Sequence, residues 1–386
     1  MTTPIGPYGA DRQLATYPYG ELWEATSDDG RVLLLILNAD VENAASTAET
    51  AVARASEIRS DGAVAWAANG VAEDGRAFLA APLGDSTSFA HVAKQSGVLN
   101  PQNATALGCE IAETLVAAAN TGQHHHSLSD EFIRVEGDEH SGFRARVYGF
   151  GLAGLIPAFK PLKKDDPFHG APAFMSPEQA GGKDPGTNAD VYALGTLLYQ
   201  AIRGRAPFAS TIKGASFATT LKRQVFEKPL ALHLRYGKLE YIREFEKVVL
   251  QALEKKSDKR FSTVNELAAG LNALHVEMGG VASSVTSPPQ DTVEVAQVPV
   301  HEPTPKAEPE DDVIRFEPPQ ELVGVSIEEP KTDAASTDTK PEVADKRTPA
   351  VTLAQGSAAA PPAKKRRRFH SQETAAVTPA APPEES

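Results

Sequence analysis

One stretch, residues 190–204, constrains the fold of this chain more than any other, because it is apolar on nearly every face. A helix without a polar face must be buried, either in a protein core or in a membrane. This stretch is too short to cross a bilayer and includes tyrosine and glutamine, so we predict a core helix. Asn188 or Asp190 would cap its N-terminus, and Gly204 would end it. We therefore expect a mostly helical domain that packs around this helix.

The composition indicates an acidic chain with enough apolar residues for a core. Hydrophobic residues make up 41% of the sequence, and the net charge of −13 argues against general nucleic-acid binding. The single cysteine, Cys109, cannot form an internal disulfide, which fits a reducing cytosol, and we expect it to be a small core residue. The first residues lack the basic region and apolar run of a signal peptide, and no apolar stretch is long enough to span a membrane. We therefore expect a cytoplasmic protein.

The composition changes near Gly279, where periodic apolar residues give way to Pro, Ala, Glu, Ser and Thr. Such a segment cannot bury enough surface to offset the entropy of ordering it, so we predict that residues 280–386 are a disordered tail. The tail carries a basic cluster at residues 364–368. This cluster would be solvated, or would make a weak contact with an anionic surface.

Strand signals dominate the first part of the chain, and helix signals follow. The turn Asp28–Gly30 separates two apolar segments and predicts a hairpin, whereas the Ala-rich residues 42–59 favour a helix. A further helix is expected after Asn100, which is a cap residue followed by a first-turn proline. We predict an α+β chain with a small β-rich lobe, about residues 10–85, and a larger helical lobe, about residues 86–275.

Four segments of the helical part resemble the motifs of a known family, in the same order and spacing. They are the end of an activation segment with the signature A-P-E, the start of a core helix, the loop after that helix, and a final arginine-bearing segment, at residues 170–178, 190–195, 204–208 and 253–261. The family is that of the protein kinases, and the resemblance is closest to bacterial serine/threonine kinases of the eukaryotic type. It implies a bilobal, kinase-like fold over residues 10–275.

The resemblance also assigns the catalytic positions, and there the sequence departs from the family. The catalytic base falls on Ser127, the magnesium-binding Asn on Phe132 and the Asp of D-F-G on Gly149. The phosphate-binding lysine falls on Ile36, give or take one residue, and no lysine occurs in residues 31–40. Serine has no basicity near neutral pH, and phenylalanine and glycine offer magnesium no side-chain oxygen.

A nucleotide would meet few suitable residues. The glycine-rich loop keeps only its third glycine, Gly20, which by itself more often marks a turn, and Tyr17 would fill space near the nucleotide. Ala81 and Leu83 would line the site if a nucleotide bound. The residues that match the family are those that pack, cap or form ion pairs: His125, Phe150, Gly151, Glu178, Asp190 and Arg260. The resemblance implies that Glu178 and Arg260 form one of these ion pairs.

We therefore predict a pseudokinase, a signalling scaffold or allosteric regulator that binds another protein, such as an active kinase, and uses no cofactor or metal. The three histidines 124–126 are neighbours that cannot converge easily on one ion, so we do not expect a metal site. Partners would dock on the helical lobe or on tail segments such as residues 312–316. Two alternatives stay open. One is an ATP- and magnesium-dependent serine/threonine kinase that uses Asp130 or Asp165–Asp166, and the other is a nucleotide-binding switch that holds ATP without metal.

Overall fold

The computed structural model describes residues 3–17, 19–95, 99–138, 142–153, 171–209 and 217–281. The chain divides into two units, Met1–Glu321 and Leu322–Ser386, and every described residue belongs to the first. Several sequence predictions fall outside the described residues: the tail beyond Val281, its basic cluster, the segment 312–316 and the pair Asp165–Asp166.

The described residues contain nine strands in two antiparallel sheets. The larger sheet has the order β1-β2-β3-β4-β6-β5, and the smaller has the order β7-β8-β9. The strands are β1 Thr3–Ile5, β2 Tyr8–Tyr17, β3 Gly20–Ser27, β4 Gly30–Leu37, β5 Ala68–Val71, β6 Ala77–Pro82, β7 Thr87–Ser88, β8 Ile133–Asp138 and β9 Gly142–Val147.

Nine α-helices occur in the same part of the chain, and most of them follow the larger sheet. They are α1 Ala44–Glu57, α2 Phe89–Lys94, α3 Pro101–Ala119, α4 Pro177–Ala180, α5 Ala189–Arg203, α6 Phe217–Phe226, α7 His233–Tyr236, α8 Ile242–Ala252 and α9 Val264–Glu277. The predicted α+β, bilobal architecture is confirmed: the six-stranded sheet and α1 form the small lobe, and the helices that pack around α5 form the large one. No helix of the described residues is long and apolar enough to cross a membrane.

The local predictions for the small lobe are confirmed. The hairpin around Asp28–Gly30 joins β3 to β4, and α1 forms within the Ala-rich stretch. Small residues on one face of α1, which include Ala48 and Ala51, lie in the same core as Leu33, Leu35 and Leu37 of β4. The sheet is therefore covered by α1 on that face, which we call the inner face.

The core helix α5 is confirmed, and every residue from Ala189 to Ile202 is buried. Gly204 ends the helix with a φ of 75°, a left-handed conformation that favours glycine. Of the two cap residues that the sequence predicts, Asn188 is the N-cap residue of this helix and Asp190 is not. Asn188 makes no capping bond with its side chain, and Asp190 lies within the first turn, where its carboxylate binds a distant loop.

Candidate functional site

The loop that carries the expected catalytic positions, residues 124–132, is held against α5. The Asp190 carboxylate accepts hydrogen bonds from the backbone N–H groups of His125 and His126, both at 2.8 Å. Burial lowers the pKa of His125, so its ring is neutral. Its Nε2–H then donates to the Tyr148 carbonyl oxygen at 2.7 Å, and its Nδ1 accepts from the Ser127 N–H at 3.3 Å. These hydrogen bonds hold the loop against α5 and the backbone of Tyr148.

Phe132 and Gly149, two expected magnesium-binding positions, meet in space. A Cβ built on Gly149 would lie 2.7 Å from Cδ1 of the Phe132 ring and 3.1 Å from Nε2 of His125. Gly149 also has a φ of 88°, a conformation that strains any residue with a side chain. Because the Phe132 ring occupies the space that an aspartate at position 149 would need, the two departures from the family depend on each other.

Aromatic side chains from the small lobe close over this loop. The Tyr17 ring stacks on Tyr19 with a centroid distance of 5.2 Å and on Phe132 with 5.5 Å. The Tyr17 hydroxyl lies 3.4 Å from Oγ of Ser129, and both tyrosines are buried. Burial raises the pKa of both phenols, so they are neutral. The segment in which the sequence predicts a glycine-rich loop therefore packs its rings on the loop of the expected catalytic positions.

A buried ion pair links β3 of the small lobe to β8. Nη1 of Arg134 donates to Oε1 of Glu24 at 2.8 Å, and the Arg134 side chain is only 1% exposed. Nη2 of Arg12 donates to the other oxygen of Glu24 at 2.8 Å. Burial raises the pKa of Glu24, but the two guanidinium groups outweigh it and hold that pKa below its usual value. Nε and Nη2 of Arg134 are buried without a partner among the described residues, so this guanidinium depends on Glu24.

A third contact lies at the segment that connects the lobes. The Tyr148 hydroxyl donates to the Pro82 carbonyl oxygen at 2.8 Å. Pro82 separates Ala81 from Leu83, the two residues expected to line a nucleotide site, and both side chains are buried in the core. One carbonyl acceptor of this segment is thus already bonded to the protein itself.

The lysine-equivalent position is predicted at Ile36, give or take one residue, and within that margin Leu35 and Leu37 lie on the inner face of the sheet. Leu35 faces α1, whereas Ile36 lies on the outer face of the sheet with Leu34 and Phe78. In protein kinases this lysine pairs with a glutamate of the helix under the sheet, so it must face that helix. Both inner positions are therefore apolar. Gly20, the retained loop glycine, contacts the backbone of Ile36 closely enough to exclude a Cβ.

Five of the six expected structural residues contact another member of the set, in the pairs His125–Asp190, His125–Phe150 and Glu178–Arg260. Both Glu178 oxygens accept from Arg260, at 2.7 Å from Nη1 and 2.6 Å from Nη2. The Phe150 ring packs edge-on against His125 at 5.1 Å, and the Gly151 backbone approaches Ala51 of α1 too closely for a side chain.

The sequence reasoning missed three residues of the groove: Glu24, Arg134 and Tyr148. Arg134 gave a signal, because it is a charged residue between the apolar residues Ile133 and Val135 of a buried strand. In the part of the chain that the structure describes, no three His, Cys, Asp or Glu side chains come together as a metal site. The rings of His124 and His126 stack on each other at 5.4 Å.

Glu131, in the same loop, predicts a pH dependence of stability. Burial and then the charge of Asp130 raise the pKa of Glu131 from 4.5 to about 7. Because the folded-state pKa is the higher one, Glu131 stabilises the fold below pH 4.5, and this contribution is lost as the pH rises through 7. We expect the Tm of the wild type, measured against that of Glu131→Gln over a pH series, to fall by several degrees across this range. If Tm changed with pH in the same way in both proteins, the raised pKa of Glu131 would be contradicted.

Comparison with known proteins supports the family resemblance that the sequence motifs indicate. Residues 50–270, more than half of the chain, match the family described as protein kinase domain. Serine/threonine-protein kinase pkn2 of Myxococcus xanthus is 29% identical over 50% of this chain and 23% of its own length. Serine/threonine-protein kinase pkn3 of the same organism is 28% identical over 54% of this chain and 38% of its own length. PknB of Mycobacterium leprae is 26% identical over 50% of this chain and 29% of its own length. The chain therefore spans between about a quarter and two fifths of the length of these relatives.

Proposed function

The chain belongs to the protein kinase domain family, and from that premise we propose that it is a pseudokinase that acts by binding other proteins. In this role it would be a cytoplasmic scaffold or an allosteric regulator, with an active kinase as one suitable partner. It would need neither ATP nor magnesium. Fold alone does not determine activity, so the proposal rests on the groove between the lobes.

The contact between Phe132 and Gly149 carries the proposal. Phosphoryl transfer in protein kinases needs magnesium, held by an Asn in the catalytic loop and an Asp in D-F-G. Here both positions lack an oxygen ligand, and the ring at one position excludes a carboxylate at the other. The site therefore resists restoration by a single substitution. Without the metal, the charge on the transferred phosphoryl group is not neutralised.

The filled groove supports the proposal independently of the metal ligands. Tyr17 and Tyr19 belong to the segment that we expect to correspond to the glycine-rich loop of a kinase, and their rings stack on each other. The Glu24–Arg134 ion pair joins β3 to β8. A nucleotide would have to displace a buried aromatic stack and separate a buried ion pair. Each displacement reduces affinity by the free energy of the contacts that it breaks.

The second candidate function is an active serine/threonine kinase with unusual catalytic residues. It is favoured by the relatives, whose names describe serine/threonine-protein kinases. Asp130 fits poorly as the substitute base, because Gln200 of α5 donates to its carboxylate at 2.7 Å and holds it towards the core. Glu131 fits better, since a base with a pKa near 7 is well matched to neutral pH.

The full-length chain distinguishes these functions when it is melted with ATP–Mg²⁺, with ATP alone and without nucleotide, beside a radiolabelled transfer assay. A ligand present at 100 times its Kd stabilises a protein by about 2.7 kcal/mol, which raises the Tm by several degrees. We expect a Tm change below about 1 °C and no transfer, with an active relative such as pkn2 as the positive control.

Other outcomes of this experiment have definite meanings. A Tm shift without phosphoryl transfer would support the metal-independent nucleotide switch. It would also contradict the inference that the aromatic stack and the ion pair keep a nucleotide out of the groove. Transfer by the wild type that disappears in Glu131→Gln would establish the active kinase and end the pseudokinase proposal. Transfer that survives Glu131→Gln would also end the proposal, and it would direct attention to residues outside the described part of the chain.

A further inference from the structure

A segment of the large lobe between α6 and α8 exposes leucine side chains. Leu230 is 63% exposed, Leu234 75% and Leu239 36%. They lie within ten positions of one another in the sequence, and we call residues 228–243 the leucine platform. Single exposed apolar residues are normal on a surface, whereas exposed apolar residues that gather in one patch mark a contact site.

The platform is anchored through its backbone and its buried residues. The Leu230 carbonyl accepts a hydrogen bond from the Tyr199 hydroxyl at 3.0 Å, and Leu232 is buried. Glu246 of α8 accepts from the backbone N–H of His233 at 2.8 Å, and its second oxygen lies 2.7 Å from Nδ1 of the same residue. Because the platform is already ordered, it loses little conformational entropy of its own when a partner binds.

Basic residues surround the exposed leucines. Lys228, Arg235, Lys238 and Arg243 are all exposed on the platform, against one exposed acidic residue, Glu240, although the chain as a whole has a net charge of −13. A basic, apolar surface on an acidic protein fits a segment in which acidic residues stand beside apolar ones.

We propose that the leucine platform binds residues 308–316 of the same chain. This segment reads Glu-Pro-Glu-Asp-Asp-Val-Ile-Arg-Phe, so four acidic residues precede Val313, Ile314 and Phe316. The acidic residues match the basic side chains of the platform, and the apolar ones match its leucines.

The connection between the platform and this segment permits the contact. The last described residue, Val281, is 86% exposed at the end of the same lobe. From there, residues 282–307 would reach roughly 85 Å if fully extended. A linker of this kind gives an effective concentration on the order of a millimolar, so a weak contact would suffice. The tail would then cover a surface that an external partner must compete for, whether or not the groove is catalytically silent.

Hydrogen exchange of the full-length chain tests the contact. We expect amides of residues 228–243 to exchange at least about fivefold faster in Ile314→Asp/Phe316→Asp than in the wild type, because the platform is uncovered. Val325→Asp, a change to another apolar residue of the tail, is the matched control and should leave the exchange unchanged. Neither variant alters a described residue, so a failure to fold does not explain a difference.

A labelled peptide of residues 306–318 provides the second measurement. It should bind Ile314→Asp/Phe316→Asp with a Kd on the order of 10–100 µM, and the wild type several-fold more weakly, because the tail competes. Binding should weaken when Arg235→Glu and Lys238→Glu are added, and when salt is raised. Unchanged exchange together with no peptide binding would overturn the proposal. Protection that appears only at concentrations where the chain dimerises would overturn it too, in favour of a second copy as the occupant.

Discussion

Replacing Glu24 with alanine will destabilise the protein by about 3–5 kcal/mol, the usual loss when one partner of a buried ion pair is removed. Arg134 is 1% exposed and has no other partner among the described residues, so the variant buries an uncompensated charge. Urea denaturation with linear extrapolation gives the change in the free energy of unfolding. Because the pair joins the two lobes, the same variant should also exchange amides of β3 and β8 faster.

Two further variants separate the buried pair from the rest of the cluster. Arg12→Ala removes a partner of the same carboxylate whose side chain is 62% exposed, and it should cost no more than about 1 kcal/mol. The double variant Glu24→Ala/Arg134→Met replaces the pair by apolar groups and should be more stable than Glu24→Ala alone. If Glu24→Ala were as mild as Arg12→Ala, the ion pair would not be what closes the groove.

The fold was predictable where the signal is local. The core helix shows itself by the absence of a polar face in residues 190–204, and the hairpin by its turn at Asp28–Gly30. The orientation of β4 was not predictable, because it is apolar on both faces and shows no alternation. Only packing distinguishes Leu35 on the inner face from Ile36 on the outer one.

For the site, the sequence predicted which positions to expect, but it did not predict which side chains contact one another. Motif spacing located Phe132 and Gly149, but nothing in the sequence shows that the ring of one fills the space beside the other. Glu24 and Arg134 are 110 residues apart, and a charge within a strand does not name its partner. Asp190 misled for the same reason, since a carboxylate in the first turn suits a cap as well as a long-range bond.

Within the large lobe, we expect the largest loss of stability when Arg260 is removed. Its side chain is fully buried, and besides its two bonds to Glu178 it donates to the carbonyl oxygens of Glu254 at 2.7 Å and Lys255 at 3.2 Å. Arg260→Ala leaves the partly buried Glu178 carboxylate and both carbonyls without this donor. We expect a loss of about 3–5 kcal/mol in the free energy of unfolding by urea denaturation.

An exposed pair and a pH series complete the test of Arg260. Arg223→Ala breaks the exposed ion pair with Glu227, at 3.5 Å, and should cost less than about 0.5 kcal/mol. Burial raises the pKa of Glu178, but the hydrogen bonds and charge of Arg260 outweigh it and leave that pKa below 4.5. The contribution of a carboxylate with a lowered pKa is present above pH 4.5 and is lost as the pH falls through the folded-state pKa. The difference in the free energy of unfolding between the wild type and Glu178→Gln should therefore become smaller only in acid. If this difference stayed constant down to pH 2, the ionised carboxylate would not be what Arg260 stabilises.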